Sequence, residues 1–216
     1  MSIKNWIGAI ALSVCTFGVS TASAAILTNG GFEDATTPGL SNPDWDVFDA
    51  IPGWTKFDNT AGIEVQRGNI GGATAYEGLN KVELDSDGQT NTNSGMYQSV
   101  TLGPGSYAFS FQYLGRTNNA GTNGIGFEID SGIVGSEFIT GVRDDGWQLV
   151  TRLFALADET EITVKFWAGG IDDTLGGYLD AVQISAVPLP PSAYVFGAAM
   201  IGLGLMSRRR KKKQAA

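Results

Sequence analysis

The sequence has no histidine and a single cysteine, Cys15, among its 216 residues. Without histidine the chain cannot use a Ser-His-Asp or Cys-His nucleophile, and it offers no histidine ligand for zinc. Without a second cysteine it cannot close an internal disulfide. Catalysis by carboxylates alone stays open. The fold must therefore be stabilised by an apolar core of ordinary size, with or without a metal ion.

Positive charge is scarce in the middle of the chain. All 22 acidic residues lie between Glu33 and Asp180, but only seven of the 14 basic residues do, which gives this part a net charge of −15. A surface this acidic argues against nucleic acid and anionic lipid as partners. It is compatible with divalent cations and with neutral sugars.

The first 24 residues have the pattern of a secretory signal peptide. A basic start precedes an apolar stretch over 6–19, and small residues follow up to Ala24. We predict a signal helix that is cleaved between Ala24 and Ala25. An uncleaved membrane helix is the alternative, although the apolar stretch is short for a span. A lipoprotein anchor at Cys15 is disfavoured because bulky Val14 precedes it.

A second signal follows residue 186, with three parts in a fixed order. It begins with a rigid proline motif made of Val187, Pro188, Leu189 and Pro190. A hydrophobic stretch over 194–206 comes next, and a basic cluster over 208–213 ends the pattern. A basic run alone would be typical of a solvated or nucleic-acid-binding tail. The apolar run before it favours a membrane helix whose basic end stays in the cytoplasm.

These three parts resemble the PEP-CTERM sorting signal of Gram-negative bacteria, in a variant with Val-Pro-Leu-Pro in place of Val-Pro-Glu-Pro. The resemblance implies export across the inner membrane, transient anchoring there through the hydrophobic helix, and processing by an exosortase-type protease near the proline motif. The product would reside at the cell surface or in the extracellular matrix, commonly in bacteria that make exopolysaccharide. The processing would be similar to that of a GPI-anchor signal, whose hydrophobic tail is removed.

Between the two signals, residues 25–186 have the pattern of one all-β domain. Large aromatic residues alternate with small or polar ones over 107–113, which is typical of a half-buried strand. Further strands are predicted over 63–67, 81–85, 96–102, 126–130, 147–155, 162–166 and 178–185. Short strands separated by Gly, Asn and Asp clusters predict a single antiparallel β-sandwich, and we favour a jelly roll.

Three motifs follow one another in this domain: the Asn-Gly-Gly-Phe-Glu sequence ending at Glu33, the Ile-Pro-Gly-Trp sequence ending at Trp54, and the closing strand around Asp180. Their order looks like that of the galactose-binding-like jelly rolls, which include many carbohydrate-binding modules. The resemblance implies one structural calcium ion between Glu33 and Asp180, and oxygen ligands of this kind suit calcium. Alternatively, Glu33 caps a turn and Asp180 accepts backbone amides.

The same resemblance implies sugar binding. Sugar sites use aromatic rings and polar groups, and two tryptophans are expected to be exposed, Trp45 beside acidic residues and Trp167 opposite the apolar face of its strand. A Gly/Asn-rich loop adds four further candidates, although simple turn chemistry would also explain it: Arg116, Asn118, Asn119 and Asn123.

Three functions remain open at this point. The leading hypothesis is a noncatalytic surface protein that binds extracellular polysaccharide. A structural or adhesive protein with protein partners is the second. The third is a carboxylate-based glycoside hydrolase, but the acidic pairs at 144–145 and 172–173 are adjacent in sequence. In an extended chain such neighbours point to opposite faces, which does not suit a pair that must face one glycosidic bond.

Overall fold

The computed structural model describes residues 26–34, 44–87, 93–130 and 132–188. Within these ranges the chain forms twelve β-strands and two short 3-10 turns, at Ile70–Gly72 and Arg143–Asp145. The strands are β1 (Trp45–Phe48), β2 (Ala50–Ile51), β3 (Trp54–Lys56), β4 (Ile63–Arg67), β5 (Asn80–Glu83), β6 (Gly95–Leu102), β7 (Gly105–Gly115), β8 (Gly124–Ile129), β9 (Val134–Ile139), β10 (Gln148–Leu156), β11 (Thr160–Gly169) and β12 (Gly177–Ala186).

The strands form two six-stranded sheets. Sheet A has the order β1-β4-β5-β12-β7-β10, and sheet B has the order β2-β3-β6-β11-β8-β9. The strand pairs of both sheets are antiparallel. The prediction of an all-β antiparallel sandwich of the jelly-roll type is therefore confirmed.

The core lies between the two sheets because side chains alternate along each strand. In β11, Ile162, Val164 and Phe166 are buried, whereas the residues between them are partly exposed. From sheet A, Phe111 meets Phe166 edge to face, with ring centroids 5.0 Å apart. Burying such a side chain contributes about 1.5–3 kcal/mol. The aromatic alternation in β7 thus holds the two sheets together.

The outer faces of the two sheets differ. On sheet A the segment 68–80, which we call the strap, covers a set of polar side chains. They are Glu64, Gln66, Lys81, Glu83 and Asp180, all buried. The outer face of sheet B carries a solvent-accessible cleft instead.

The predicted boundaries of the domain, 25–186, stay predictions. The signal peptide, its Ala24–Ala25 cleavage site and both terminal helices lie outside the described residues. Val187 and Pro188 of the sorting motif are described and exposed, whereas Leu189 and Pro190 lie outside. In the described ranges, no helix is long and apolar enough to cross a membrane.

Candidate functional site

The outer face of sheet B carries a group of aromatic side chains. Strand alternation directs Tyr97 of β6 and Trp167 of β11 away from the core. Phe138 of β9 also points outward and is 56% exposed. Phe57 follows β3 directly and lies next to Tyr97, with ring centroids 6.2 Å apart. Four aromatic side chains, three from different strands and one from the residue after β3, therefore lie on one outer face.

Glycines beneath these rings let them lie against the sheet. A Cβ atom at Gly126 would collide with the indole of Trp167, and one at Gly95 would lie 2.5 Å from Cδ2 of Phe57. A Cβ at Gly124 would likewise collide with the ring of Phe138. Glycine inside a strand marks a close approach of this kind. Each ring is thus packed over the backbone of a neighbouring strand.

The strand register spaces the rings across the sheet. Gly95 on β6 pairs with Trp167 on β11, which pairs in turn with Gly126 on β8. The ring of Phe57 lies over β6 and the indole of Trp167 lies over β8, which is two strands away. Two strand spacings correspond to roughly 10 Å. We call the rings of Phe57, Trp167 and Phe138 the aromatic platform.

Polar groups lie beside the platform on the same face. Lys165 Nζ donates to Glu128 Oε1 at 2.9 Å across β11 and β8. The hydroxyls of Ser99 and Thr163 lie 2.9 Å apart across β6 and β11. The hydrogen bond to Glu128 raises the pKa of Lys165, which keeps its ammonium charged at neutral pH. Together they border a cleft of about 600 Å³ lined by Lys56, Phe57, Asp58, Tyr97, Ser99, Glu128, Ser136, Thr163, Lys165 and Trp167.

The structure separates the two tryptophans that the sequence put forward as ligand candidates. Trp167 lies in the platform on sheet B. Trp45 lies on β1 at the edge of sheet A, where its register partner is Gln66. The two side chains therefore belong to different sheets and cannot form one site.

Arg116, another ligand candidate, lies at the outer side of sheet A. Its Nη1 donates to both carboxylate oxygens of Glu83, at 2.6 and 2.5 Å, and to the carbonyl of Thr174 at 2.8 Å. The side chain of Glu83 is fully buried, and that of Arg116 is 19% exposed. The guanidinium is thus engaged in neutralising a buried acid, and we do not place Arg116 in the binding site.

The three candidate asparagines shape the loop between β7 and β8. Asn118 Oδ1 accepts the amide of Asp144 at 3.2 Å, and Asn119 Oδ1 accepts that of Gly121 at 3.1 Å. Asn123 is buried, and its Nδ2 donates to the carbonyls of Thr117 and Gly141 at 2.8 Å each. These bonds are turn chemistry, which was the alternative explanation for this loop.

Two buried carboxylates face each other under the strap. Glu64 on β4 and Glu83 on β5 are register partners, and Nε2 of Gln66 donates to both at 2.7 and 2.6 Å. Burial raises the pKa of both carboxyls, and that of Glu83 lies well above its ordinary value. Glu64 adds to the rise at Glu83, whereas Arg116 opposes it. This cluster is an internal network and not a surface site.

The predicted metal ligands Glu33 and Asp180 both hold the strap. Glu33 Oε1 accepts the amides of Leu79 and Asn80 at 2.7 and 2.5 Å. Asp180 Oδ2 accepts the amides of Tyr76 and Glu77 at 2.7 and 3.1 Å. A β-bulge after Asp180 interrupts the pairing of β12 with β7 at this point.

The contacts of Glu33 and Asp180 match the alternative to a calcium site, in which both carboxylates accept backbone amides. Calcium takes six to eight oxygen ligands, and backbone N–H groups here donate to one oxygen of Glu33 and to both oxygens of Asp180. In the described parts of the chain, no group of three or more Asp, Glu, His or Cys side chains is arranged to hold a metal. Calcium stays a prediction from the resemblance and is not carried into the proposed site.

Asp180 makes the stability of the fold depend on pH. Burial raises its pKa to about 6 from 3.8, although three backbone amides oppose the rise. A pKa that is higher in the folded state than in the unfolded state means that the folded protein binds the proton more tightly. The contribution of Asp180 to the free energy of unfolding is therefore fully present below pH 3.8 and is lost as the pH rises through about 6. We expect Asp180→Asn to remove this part of the pH dependence in urea unfolding measured from pH 4 to 7. Asp158→Asn, on the exposed turn after β10, should keep the wild-type slope. Parallel pH profiles for wild type and Asp180→Asn would contradict the assignment.

The sequence analysis missed Phe57, Tyr97 and Phe138. One signal for the site was present: Gly124 and Gly126 lie two residues apart, on one face of a strand. Glycines at such positions indicate that a neighbouring group covers the backbone. Which ring covers them depends on the strand order, and the local sequence does not contain that information.

The chain matches no protein-family model, and no curated protein matches its sequence. Among solved structures, a cyclase from Fischerella sp. in its apo form is similar with a TM-score of 0.53 and 18% identity, over 78% of this chain and 98% of that chain. A family 61 carbohydrate-binding module in complex with β-1,4-galactotriose has a TM-score of 0.48 and 18% identity, over 76% and 100% of the two chains. A family 22 xylan-binding domain from Paenibacillus barcinonensis has a TM-score of 0.39 and 15% identity, over 68% and 94%. The similarity to the cyclase shows a shared fold and leaves function to be argued from the site.

Proposed function

We propose that this chain is an exported, noncatalytic β-sandwich protein that binds extracellular polysaccharide through the outer face of sheet B. The observation that carries the proposal is the aromatic platform, in which the rings of Phe57, Trp167 and Phe138 lie on glycines of neighbouring strands. A ring that packs one side on the backbone can offer its other side to a ligand.

The chemistry of the cleft suits a sugar chain. The C–H faces of a pyranose ring stack on aromatic rings, and its hydroxyls need donors and acceptors nearby. Ser99 and Thr163 supply hydroxyls, and the Lys165–Glu128 pair supplies one donor and one acceptor of opposite charge. The cleft therefore combines apolar surfaces with convergent polar groups.

The shape of the site favours a polymer. The platform extends from β6 to β8: the ring of Phe57 lies over β6, and the rings of Trp167 and Phe138 lie over two glycines of β8 that are two residues apart. A row of separated rings can contact several sugar units of one chain. The excess of acidic residues in the domain favours a neutral polysaccharide over an acidic one.

The alternative of a carboxylate-based hydrolase has less support. Such an enzyme needs two carboxyl groups on either side of the scissile bond. Two acidic residues line the cleft, Asp58 and Glu128, and Glu128 is held in an ion pair with Lys165. The acidic pairs at 144–145 and 172–173 do not line the cleft.

The two termini carry the proposed route to the surface. We infer export through the signal peptide, transient anchoring in the inner membrane through the C-terminal hydrophobic helix, and release by an exosortase-type protease to the cell surface or matrix. The exposed Val187 and Pro188 fit a motif that a protease must reach.

Retention of the purified chain on immobilised glycans tests the binding. We expect slower migration in native gels that contain a neutral β-linked polysaccharide, or the host's own exopolysaccharide, than in gels without glycan. An acidic polysaccharide of similar length is the matched control and should retain the chain less. Equal migration in every gel would overturn the proposed function.

Mass spectrometry of the termini tests the route. The surface form in the native host is expected to begin at Ala25 and to end near the proline motif, without the basic cluster at 208–213. A surface form with an intact basic tail would contradict processing.

A further inference from the structure

Strand β10 forms a long edge of sheet A. It spans nine residues, Gln148–Leu156, and in the described part of the chain it is hydrogen-bonded on one side only, to β7. The other edge strands, β1, β2 and β9, have four, two and six residues. One backbone group of β10, the carbonyl of Thr151, accepts a hydrogen bond from Nη1 of Arg152 at 2.8 Å. A long edge that pairs with no second strand is a template for pairing with another chain, which would replace such a side-chain contact.

Four side chains of β10 point outward and are exposed, and all of them except Thr151 are apolar. Leu149 is 65% exposed and Leu153 is 74% exposed, the highest values for large apolar residues in the described ranges. Thr151 lies between them, and Ala155 follows on the same face. Leu153 and Ala155 also border a groove of about 460 Å³ that reaches Val187. Soluble monomers rarely leave such a stripe uncovered.

The charge pattern indicates which partner fits this edge. The stretch 146–157 contains no acidic residue and a single basic one, Arg152. Arg152 is already neutralised, because it pairs with Glu137 on β9 and lies 5.6 Å from the ring centre of Phe127. Most of the surface of so acidic a domain repels a second copy, and β10 is the long edge where that repulsion is weakest.

The sequence of β10 is complementary to itself. A two-fold axis through Thr151 would set Leu149 opposite Leu153 of the second copy, and Leu153 opposite its Leu149. Directly opposed apolar pairs stabilise antiparallel strands. We propose that β10 pairs antiparallel with β10 of a second copy about this axis, which joins two A sheets into one continuous sheet.

The proposed axis is perpendicular to the sheets, so both platforms face the same side of the dimer. If the proposed function holds, one dimer presents two binding faces to the same glycan surface, and avidity strengthens binding by about 10²–10⁴. The pairing itself does not rest on the proposed function, because it involves no residue of the platform. The two can therefore fail separately.

Sedimentation velocity of the full chain over a concentration series tests the dimer. We expect a monomer–dimer equilibrium that Leu153→Lys weakens roughly 100-fold, because each dimer loses two buried leucines. Ile171→Lys, at an exposed apolar residue away from β10, is the matched control and should leave the equilibrium unchanged. A chain that stays monomeric at all concentrations overturns the proposal, as does an association that Leu153→Lys does not weaken.

Cysteine cross-linking tests the register. In a Cys15→Ser background, Thr151→Cys should form a disulfide-linked dimer under mild oxidation, because opposed residues at the axis have Cα atoms within disulfide range. Leu153→Cys should cross-link much less, since it faces Leu149 of the second copy. Equal yields for Thr151→Cys, Leu153→Cys and Ile171→Cys would overturn the pairing about Thr151.

Discussion

Replacing Trp167 with alanine is expected to weaken polysaccharide binding by roughly 30-fold or more, the usual effect of removing a central aromatic anchor. Trp167 lies on β11, between the strands that carry the rings of Phe57 and Phe138, and its indole covers Gly126. Its loss would divide the platform into two separate rings. Isothermal titration with the retained glycan measures the change.

Trp45→Ala is the matched control for this loss. Both tryptophans are partly exposed, but Trp45 lies on β1, at the edge of sheet A. Its replacement should leave affinity within about twofold, since surface substitutions away from a site have small effects. Equal losses for Trp45→Ala and Trp167→Ala would show that the binding face lies elsewhere.

A glycine substitution tests whether binding requires the indole of Trp167 to lie flat on the sheet. Gly126→Ala keeps Trp167 but adds a methyl group that collides with its ring, so the indole must lift from the sheet. We expect a loss of affinity in the same direction as for Trp167→Ala. Gly135→Ala on β9 is the control, because a Cβ atom there has no atom within 4 Å.

Replacing Arg116 with methionine is expected to cost about 3–5 kcal/mol of unfolding free energy, because it leaves the buried carboxylate of Glu83 without its counter-ion. Burial already raises the pKa of Glu83 well above its ordinary value, and the loss of Arg116 would raise it further. A raised folded-state pKa means that stability is lost as the pH rises. The variant should therefore lose stability more steeply with pH than the wild type.

Two comparisons test whether the burial of Glu83 causes this loss of stability. Arg152→Met breaks the Arg152–Glu137 ion pair, whose side chains are 40% and 37% exposed, and should cost less than about 1 kcal/mol. Adding Glu83→Gln to Arg116→Met should restore part of the lost stability by removing the buried charge. Denaturant unfolding at neutral pH measures all of these variants. Equal costs for Arg116→Met and Arg152→Met would contradict the role of burial.

The strands that the sequence predicted are those with strong side-chain alternation. The prediction over 63–67 matches β4 residue for residue, and the sequence predicted β5, β6, β7, β8, β10, β11 and β12 within a few residues of their ends. The sequence missed β1, β2, β3 and β9, with lengths of four, two, three and six residues. Short strands lack a sustained period, so the sequence pattern alone does not reveal them.

Of the aromatic residues in the candidate site, the sequence predicted only Trp167. Periodicity placed that side chain on the face opposite Ile162, Val164 and Phe166, and the structure agrees. Arg116 and Asn123 instead make internal contacts. A Gly/Asn-rich loop has the same composition whether its polar residues stabilise a turn or bind a ligand. Only their hydrogen-bond partners in the folded structure distinguish the two roles.

Side-chain alternation and the turn-forming clusters between the strands determined from the sequence alone that the chain is an all-β sandwich, and the absence of paired cysteines determined that an apolar core must hold it. These features are local or compositional, so no tertiary information was needed. Tertiary structure decided which part of the outer face of sheet A is covered, because the strap meets its partners Glu33 and Asp180 across 46 and 104 residues of chain. It also decided that the rings of Phe57, Phe138 and Trp167 share one outer face, where each ring lies over a glycine. The reason is that a strand's neighbours are set by the fold and not by its own sequence.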